Sequence, residues 1–168
     1  MKKAILFLFI SVIVTSVLLD NEEKYEIPKE NIRYRIIANS NSVQDQALKF
    51  EINSKLMPII NDISTEDNIQ DVRLNINNAM DDIKNIIEQY TNNYQISFGQ
   101  NYFPPKTYQG VQYSQGNYES LVISLGAASG DNWWCVLFPP LCLLEAEKSN
   151  IDNITYKSYF KKIINKYL

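Results

Sequence analysis

Both tryptophans and both cysteines of the chain fall within residues 130–142, together with two of its six prolines. Successive side chains of a strand point to opposite faces, so Trp133 and Trp134 cannot both enter one core from a strand. Pro139 and Pro140 remove two backbone donors and favour an extended or turning backbone. We therefore expect a rigid, sharply bent aromatic segment instead of an ordinary helix or strand. Its purpose is either architecture or contact with a partner.

The N-terminus predicts export. Two lysines follow Met1, and residues 4–19 form an uncharged apolar run, which is the pattern of a secretory signal peptide. The run is shorter than the ~20 residues of a typical transmembrane helix. A retained membrane anchor is the alternative, and we expect membrane contact only through this segment. The chain is thus divided into a signal peptide or anchor (1–19), a linker (20–31) and a single α+β domain (32–168).

The two cysteines fit an exported protein. Cys135 and Cys142 most economically form one disulfide outside the cytoplasm. The alternative is a pair of buried free thiols, which are common in protein cores. A metal site is the weakest interpretation, because this spacing is not typical of zinc ligands and the chain has no histidine to complete a site.

Apolar periodicity predicts a strand and then two helices. Residues 32–38 alternate in polarity, which indicates a strand, and Ser42 with Asp45 provides a start signal for a helix. Pro58 should kink or split that helix. A second apolar stripe keeps helical spacing over residues 66–90 and predicts one helix of six turns.

The second half of the chain predicts a sheet. The period changes to two over residues 94–102, and further strands are expected near 108–114 and 118–125, joined by a tight turn at 115–117. Residues 156–167 predict an amphipathic C-terminal helix. The order of elements indicates an α+β fold, with a small antiparallel or mixed sheet packed against a pair of helices and followed by the C-terminal amphipathic helix.

Several kinds of chemistry are excluded. The chain has no histidine, which removes Ser-His-Asp and Cys-His hydrolases and most catalytic zinc sites. It contains no phosphate-binding glycine motif and no calcium-loop motif, so we expect no cofactor. Without the two lysines in residues 1–19, 14 basic and 19 acidic residues remain, a net charge of −5. An acidic body without a basic cluster argues against nucleic acid as a partner.

Three segments concentrate residues that are suited to contact with a partner. The first is the polar corner between the predicted strand and helix, for which turn and capping chemistry is the alternative interpretation. The second is the proline-flanked segment 102–108, which either presents Lys106 on a rigid loop or is simply the end of a strand. The third is the Trp-Trp-Cys segment, since Trp dominates binding hot spots but also covers sheet ends. The candidate partner-binding residues are Trp133, Trp134, Asp131, Asn132, Lys106, Asn39, Ser40, Asp45 and Gln46.

Three blocks of the chain match one family in order. They are residues 36–42 with Asp45, Gln46 and Lys49; residues 103–108; and residues 130–142. The chain resembles the stage II sporulation protein R family of endospore-forming bacteria. The third block is long and unusual in composition, which makes a chance match improbable. The resemblance covers residues from about 32 to 144.

The resemblance implies a signalling function. Family members are made in the forespore and secreted across its membrane into the intermembrane space that faces the mother cell. There they trigger a membrane-embedded aspartic protease, which cleaves pro-sigma-E. The resemblance thus implies a ligand or activator of that protease and no enzyme. The export signal, the lack of histidine and the rigid aromatic segment agree with this.

Two other functions compete with signalling. One is an extracytoplasmic cell-wall hydrolase, because two carboxylates in one cleft can hydrolyse glycosides without histidine. The sequence offers no carboxylate pair that can be placed in one cleft. The other is a wall-binding module whose aromatic residues stack on sugars.

Overall fold

The computed structural model describes residues 25–26, 30–108, 111–142, 162–163 and 165–166. The predicted signal peptide or anchor and most of the predicted linker lie outside these residues. Within the linker segment, Tyr25–Glu26 forms a short strand. Of the predicted C-terminal helix, residues 162–163 and 165–166 are helical, and the remainder lies outside the described residues.

A mixed four-stranded sheet forms the centre of the fold. The strands of the described residues are β1 (Tyr25–Glu26), β2 (Ile32–Ile37), β3 (Tyr94–Phe103), β4 (Lys106–Tyr108), β5 (Val111–Tyr113), β6 (Gly116–Leu125) and β7 (Asn132–Phe138). The central sheet has the order β3-β6-β2-β7, in which β2 runs parallel to β6 and antiparallel to β7. The other three strands form a small sheet of order β1-β5-β4. The predicted α+β class with a mixed sheet is confirmed.

The helices break at a different place from the one predicted. They are α1 (Val43–Ser64), α2 (Ile69–Asn78) and α3 (Met80–Glu88). Pro58 was predicted to kink or split the helix; a split does not occur, because α1 continues through it with Leu56 and Ile60 fully buried on either side, and the kink stays a prediction. Packing of these side chains outweighs the one backbone hydrogen bond that a proline removes. The predicted six-turn helix is interrupted at Ala79, which caps the end of α2 and the start of α3.

The turn predicted at residues 115–117 is also wrong. Gly116 and Asn117 are already part of β6, where they pair with Phe103 and Tyr102 of β3. The chain between the two paired strands makes an excursion that includes the β4–β5 hairpin. The turn signal at residues 115–117 therefore did not show which strands pair: β6 pairs with β3, and β5 pairs with β4.

Both faces of the central sheet are covered. Alternate residues of β2, Ile32, Tyr34 and Ile36, join the helices in one buried core. The opposite face carries Arg33, which is fully buried, and Trp134. The Tyr113 ring from the small sheet lies against Trp134, with ring centres 4.9 Å apart.

The Trp-Trp-Cys segment is a strand of seven residues, contrary to expectation, with an irregular register near Leu137. Strand β7 pairs with β2 along Asn132–Phe138, and the turn at Pro139 and Pro140 follows it. Leu141 then donates to the carbonyl of Val136 over 3.1 Å. Two adjacent tryptophans fit a strand here because each face of β7 has its own packing partner.

Candidate functional site

The polar corner lies where β2 ends and α1 begins. Ser42 is the N-cap of α1, and its hydroxyl accepts from the backbone N–H of Asp45 over 3.1 Å. This confirms the predicted cap, which satisfies one of the free amides of the first turn. The Ser40 hydroxyl accepts from the backbone N–H of Ser42 over 3.1 Å. The chain therefore turns from strand to helix over residues whose side chains replace the missing backbone bonds.

Asn39 connects the corner to the loop that follows β6. Its side-chain oxygen accepts from the backbone N–H of Ala127 over 2.8 Å, and its side-chain nitrogen donates to the carboxylate of Asp45 over 2.9 Å. Its main-chain carbonyl accepts from the hydroxyl of Ser129 over 2.6 Å. One asparagine thus fixes the positions of both the helix start and the loop.

Asp45 is the acceptor at the centre of the corner. Its carboxylate receives hydrogen bonds from the hydroxyl of Ser40 and the amide of Asn39. These bonds, first the one from Ser40 and then the one from Asn39, lower the pKa of Asp45, and the bond with Ser42 adds to them. The lowered pKa means that the corner is built around an ionised carboxylate.

Lys49 and Gln46 connect α1 to the start of β7. The ammonium group of Lys49 donates to the side-chain oxygen of Gln46 over 2.6 Å and to the main-chain carbonyl of Asp131 over 2.9 Å. The Gln46 amide donates to the carbonyl of Ser40 over 2.9 Å. Asn41 accepts from the backbone N–H of Asp131 over 2.6 Å. These bonds join the corner and the Trp-Trp-Cys strand into one hydrogen-bonded frame.

Lys49 is a buried cation. Its side chain is 1% exposed, and desolvation by burial lowers its pKa, while the charge of Asp131 acts in the opposite direction. The ammonium group also lies 4.3 Å from the centre of the Phe50 ring. The fixed carbonyl, the amide oxygen and the ring face replace part of the water that this charge has lost.

Two glycines allow the loop to approach the corner. A Cβ at Gly130 would lie 2.2 Å from the main-chain oxygen of Ser40. Gly126 has a φ of +55°, and a Cβ there would lie 2.2 Å from the side-chain oxygen of Asn39. No larger residue fits either position without movement of the corner.

An exposed patch adjoins this frame. Val43 is 81% exposed and Phe50 is 53% exposed, and both belong to the first turns of α1. Asn41, Asp131 and Asn132 are exposed beside them. We call these five residues the corner patch. It combines two apolar side chains with amides and a carboxylate on a hydrogen-bonded support.

The two tryptophans lie on opposite faces of β7, and both are half-buried. The ring of Trp133 packs on the helix side, with its centre 5.8 Å from that of Tyr34. The ring of Trp134 lies on the other side, 5.6 Å from Phe103 and 4.9 Å from Tyr113. The strand therefore does not present the two indoles as one flat surface.

A cation–aromatic cluster occupies the second face of the sheet. The guanidinium carbon of the buried Arg33 lies 3.4 Å from the centre of the Tyr118 ring, and its Nε donates to Asn31 over 3.0 Å. Burial lowers the pKa of Arg33 to about 10, and Tyr118 partly offsets this. Arg35 lies 4.5 Å from the centre of the Phe103 ring. Aromatic ring faces thus stabilise the Arg33 and Arg35 guanidinium groups, to which no carboxylate of the described residues bonds.

Lys106 belongs to this second face. It is the first residue of β4 and is exposed, and its ammonium group lies 5.3 Å from the Trp134 ring centre. Lys106 therefore lies at the end of a strand, which was one of the two interpretations of this segment. It is on the side of the sheet opposite to Trp133.

A disulfide joins Cys135 to Cys142, as predicted, with 5.1 Å between the Cα atoms. Both cysteines are buried. The bond holds the chain after the Pro139-Pro140 turn against the second half of β7.

The described residues contain no group of three or more Cys, Asp or Glu that could hold a metal ion. In the same part of the chain, no helix is both long enough and apolar enough to cross a membrane. The polar side chains of the corner form hydrogen bonds that hold backbone groups in place.

Most of the predicted partner-binding residues come together in space. Hydrogen bonds join Asn39, Ser40, Asp45, Gln46 and Asp131 around the corner, and Asn132 continues from it into β7. The predicted Trp133, Trp134 and Lys106 are divided between the two faces of the sheet. Their roles in binding stay predictions.

Sequence reasoning missed three features of the site. Lys49 had no assigned role, although its position three residues after Gln46 on one helix allows their bond. Val43 and Phe50 were not selected, and only their exposure distinguishes them from core residues. The burial of Arg33 was not predicted, since the alternation of residues 32–38 identifies only the apolar face of the strand.

The fold and the corner define a class of protein: an α+β domain, closed by a disulfide, that carries an exposed patch on a hydrogen-bonded frame. A sequence model of the family described as Stage II sporulation protein R matches residues 28–148. The Stage II sporulation protein R of Bacillus subtilis (strain 168) is 39% identical over 153 residues, covering 82% of this chain and 67% of that protein. No solved structure matches significantly. This chain belongs to the stage II sporulation protein R family and therefore has a role in sporulation.

Proposed function

We propose that this protein is an exported signal of sporulation that activates a membrane-embedded aspartic protease, which then processes pro-sigma-E. Family membership supports the role in sporulation. The two lysines after Met1 and the uncharged apolar run of residues 4–19 support export across the forespore membrane into the intermembrane space. The protein acts by binding, and the corner patch is the surface that meets the protease.

The observation that carries this proposal is the exposure of Val43, Phe50 and Asn132 on elements that hydrogen bonds hold together. Lys49 contacts the Phe50 ring and the Asp131 carbonyl together, so the apolar and polar parts of the patch keep a fixed relation. A surface that is already ordered loses little entropy when it binds. Apolar residues with a polar rim are the usual composition of a small interface.

Activation requires that the patch binds the active form of the protease more tightly than the inactive form. A difference of about 3 kcal/mol in binding free energy raises the ratio of active to inactive protease about 150-fold. The protein needs no catalytic group of its own for this role.

The test uses two matched exposed residues in a strain that lacks the natural protein. Val43→Asp places a carboxylate in the patch at the first turn of α1, where the helix dipole favours it, so folding is preserved. Leu74→Asp is the control, because Leu74 is 58% exposed on α2, outside the patch.

We expect Val43→Asp to reduce pro-sigma-E processing at least tenfold in immunoblots, while Leu74→Asp processes normally at equal exported amounts. Normal processing by the exported Val43→Asp protein would remove the corner patch from the interface. Equal loss in both variants would also count against it, since the effect would not be specific to the patch.

A further inference from the structure

A polar cleft of about 330 Å³ opens where β2 begins, whereas the corner lies where β2 ends. One wall comes from the first turns of α2, with Ile69, Gln70 and Arg73. The other wall comes from β3 and β6, and it includes Gln100 and Asn117. The volume is at the lower end of the roughly 300–1,000 Å³ of small-molecule sites.

The cleft holds polar groups with unused hydrogen-bonding capacity. Gln70, Gln100 and Asn117 are exposed, and their side-chain amides make no hydrogen bond within the part of the chain that the structure describes. The Glu30 carboxylate is exposed and makes no hydrogen bond among those residues, although its charge helps to raise the pKa of Arg73. Each amide can donate and accept, and the carboxylate can accept.

An ion pair joins the two walls of the cleft, since Arg73 belongs to α2 and Glu119 to β6. Arg73 donates to both oxygens of Glu119, with bonds of 2.8 Å and 3.0 Å from Nε and 2.7 Å from Nη2. The bond with Glu119 is the main cause of a raised pKa for Arg73. Arg73 and Glu119 therefore hold the two walls together, and Glu30 is the carboxylate whose hydrogen-bonding capacity remains for a ligand.

We propose that this cleft binds a short neutral oligosaccharide of N-acetylated hexosamines. Sugar hydroxyls donate and accept, as do the three amides, and the Glu30 carboxylate accepts from hydroxyls or from an acetamido N–H. Ile69 supplies an apolar contact for the acetamido methyl. With two carboxylates and one guanidinium, the lining disfavours an anionic ligand.

Two alternatives fit the lining less well. Peptides that bind clefts use apolar side chains as anchors, and Ile69 is the one aliphatic residue of this lining. Hydrolysis of the sugar would require two carboxylates that are free to act, but both oxygens of Glu119 are engaged by Arg73. The proposed activity is thus binding without cleavage, and it is independent of the protease partner proposed above.

The test is a titration of the purified full-length protein with tri-N-acetylchitotriose, followed through the side-chain amide NMR signals of Gln70, Gln100 and Asn117. We expect these signals to shift, and we expect Gln100→Ala and Glu30→Gln each to weaken binding at least tenfold. Gln95→Ala is the matched control, because Gln95 is an exposed glutamine of the same strand outside the cleft. A dispersed backbone spectrum verifies that each variant is folded.

Three results with the trisaccharide or the peptide would overturn the proposal. They are no shift at millimolar trisaccharide, equal binding by Gln95→Ala and Gln100→Ala, and stronger shifts of the same amides with a Gly-Ser-Asn peptide than with the sugar. The last result would make the cleft a peptide site. Cellotriose, which lacks acetamido groups, should bind at least tenfold more weakly, and equal binding would contradict the proposed ligand class.

Discussion

The ammonium group of Lys49 donates to the main-chain carbonyl of Asp131 over 2.9 Å, which fastens the start of α1 to the start of β7. The same group donates to Gln46 and contacts the ring of Phe50. A single buried cation thus supports both the polar and the apolar parts of the corner patch. The rigidity of that patch depends on this contact.

Replacement of Lys49 tests this contact. Lys49→Met keeps the length of the side chain but loses both hydrogen bonds, and we expect the free energy of unfolding to fall by about 1–2 kcal/mol. Urea denaturation measures the change. Lys55→Met, at an exposed lysine of the same helix, should be neutral. Equal stability of the two variants would show that the bond to Asp131 contributes nothing.

The acid side of the stability curve should depend on Asp45. Its pKa is lowered in the folded protein, chiefly by the bond from Ser40 and then by that from Asn39. A lowered pKa stabilises the folded state above the ordinary value of about 3.9, and this contribution is lost as the pH falls through the folded pKa. Asp45→Asn should therefore be less stable than wild type at pH 7 and similar to it at pH 2.

Urea denaturation at several pH values checks this prediction. Asp62→Asn, which removes an exposed carboxylate of the same helix, is the matched control. A difference between Asp45→Asn and wild type that stays constant from pH 7 to pH 2 would mean that ionisation of Asp45 is not involved.

The disulfide should contribute measurable stability. Closure of a loop of about eight residues between Cys135 and Cys142 is worth roughly 2.5 kcal/mol in the chain-entropy model. Thermal or urea unfolding with a reductant should therefore show a lower midpoint for the wild type. The double variant Cys135→Ala/Cys142→Ala should start lower and not respond to the reductant. A wild-type midpoint that is unchanged on full reduction would be incompatible with this role.

Close contact at Gly130 should forbid a side chain. Gly130→Ala places a Cβ 2.2 Å from the Ser40 carbonyl oxygen, and we expect a loss of about 1–3 kcal/mol because backbone must move. At Gly116 the nearest atom would be 3.3 Å away, on the ring of Tyr118. Gly116→Ala should therefore cost much less in the same denaturation assay. Similar losses at the two positions would contradict the close packing of loop and corner.

Much of the fold could be predicted, because the spacing of apolar residues along the chain shows which face of each helix or strand is buried. Helix breaks could not be predicted in this way. Burial of Leu56 and Ile60 holds α1 together through Pro58, and the break at Ala79 has no proline or glycine to announce it. Strand pairing was missed for a related reason, since Phe103 and Gly116 pair across an excursion that local turn signals do not describe.

The polar part of the candidate site, the corner between β2 and α1, was predicted from the sequence. Asn39 and Asp45 follow a strand and open a helix, where such residues replace backbone bonds. The position of Trp134 could not be predicted, because alternation along one strand does not show that a sheet is covered on both faces. Arg33 and Tyr118, which build the second covered face, meet only through strand pairing.

The central claim is that the corner patch switches on the protease. The most direct test places the purified full-length protein, the membrane protease and pro-sigma-E in lipid vesicles and measures the rate of pro-sigma-E cleavage. We predict that the wild-type protein raises this rate at least tenfold, that Asn132→Arg in the patch abolishes the increase, and that Asn85→Arg, at an exposed asparagine of α3, does not. No increase with the wild-type protein, or full activity of Asn132→Arg, would contradict the claim.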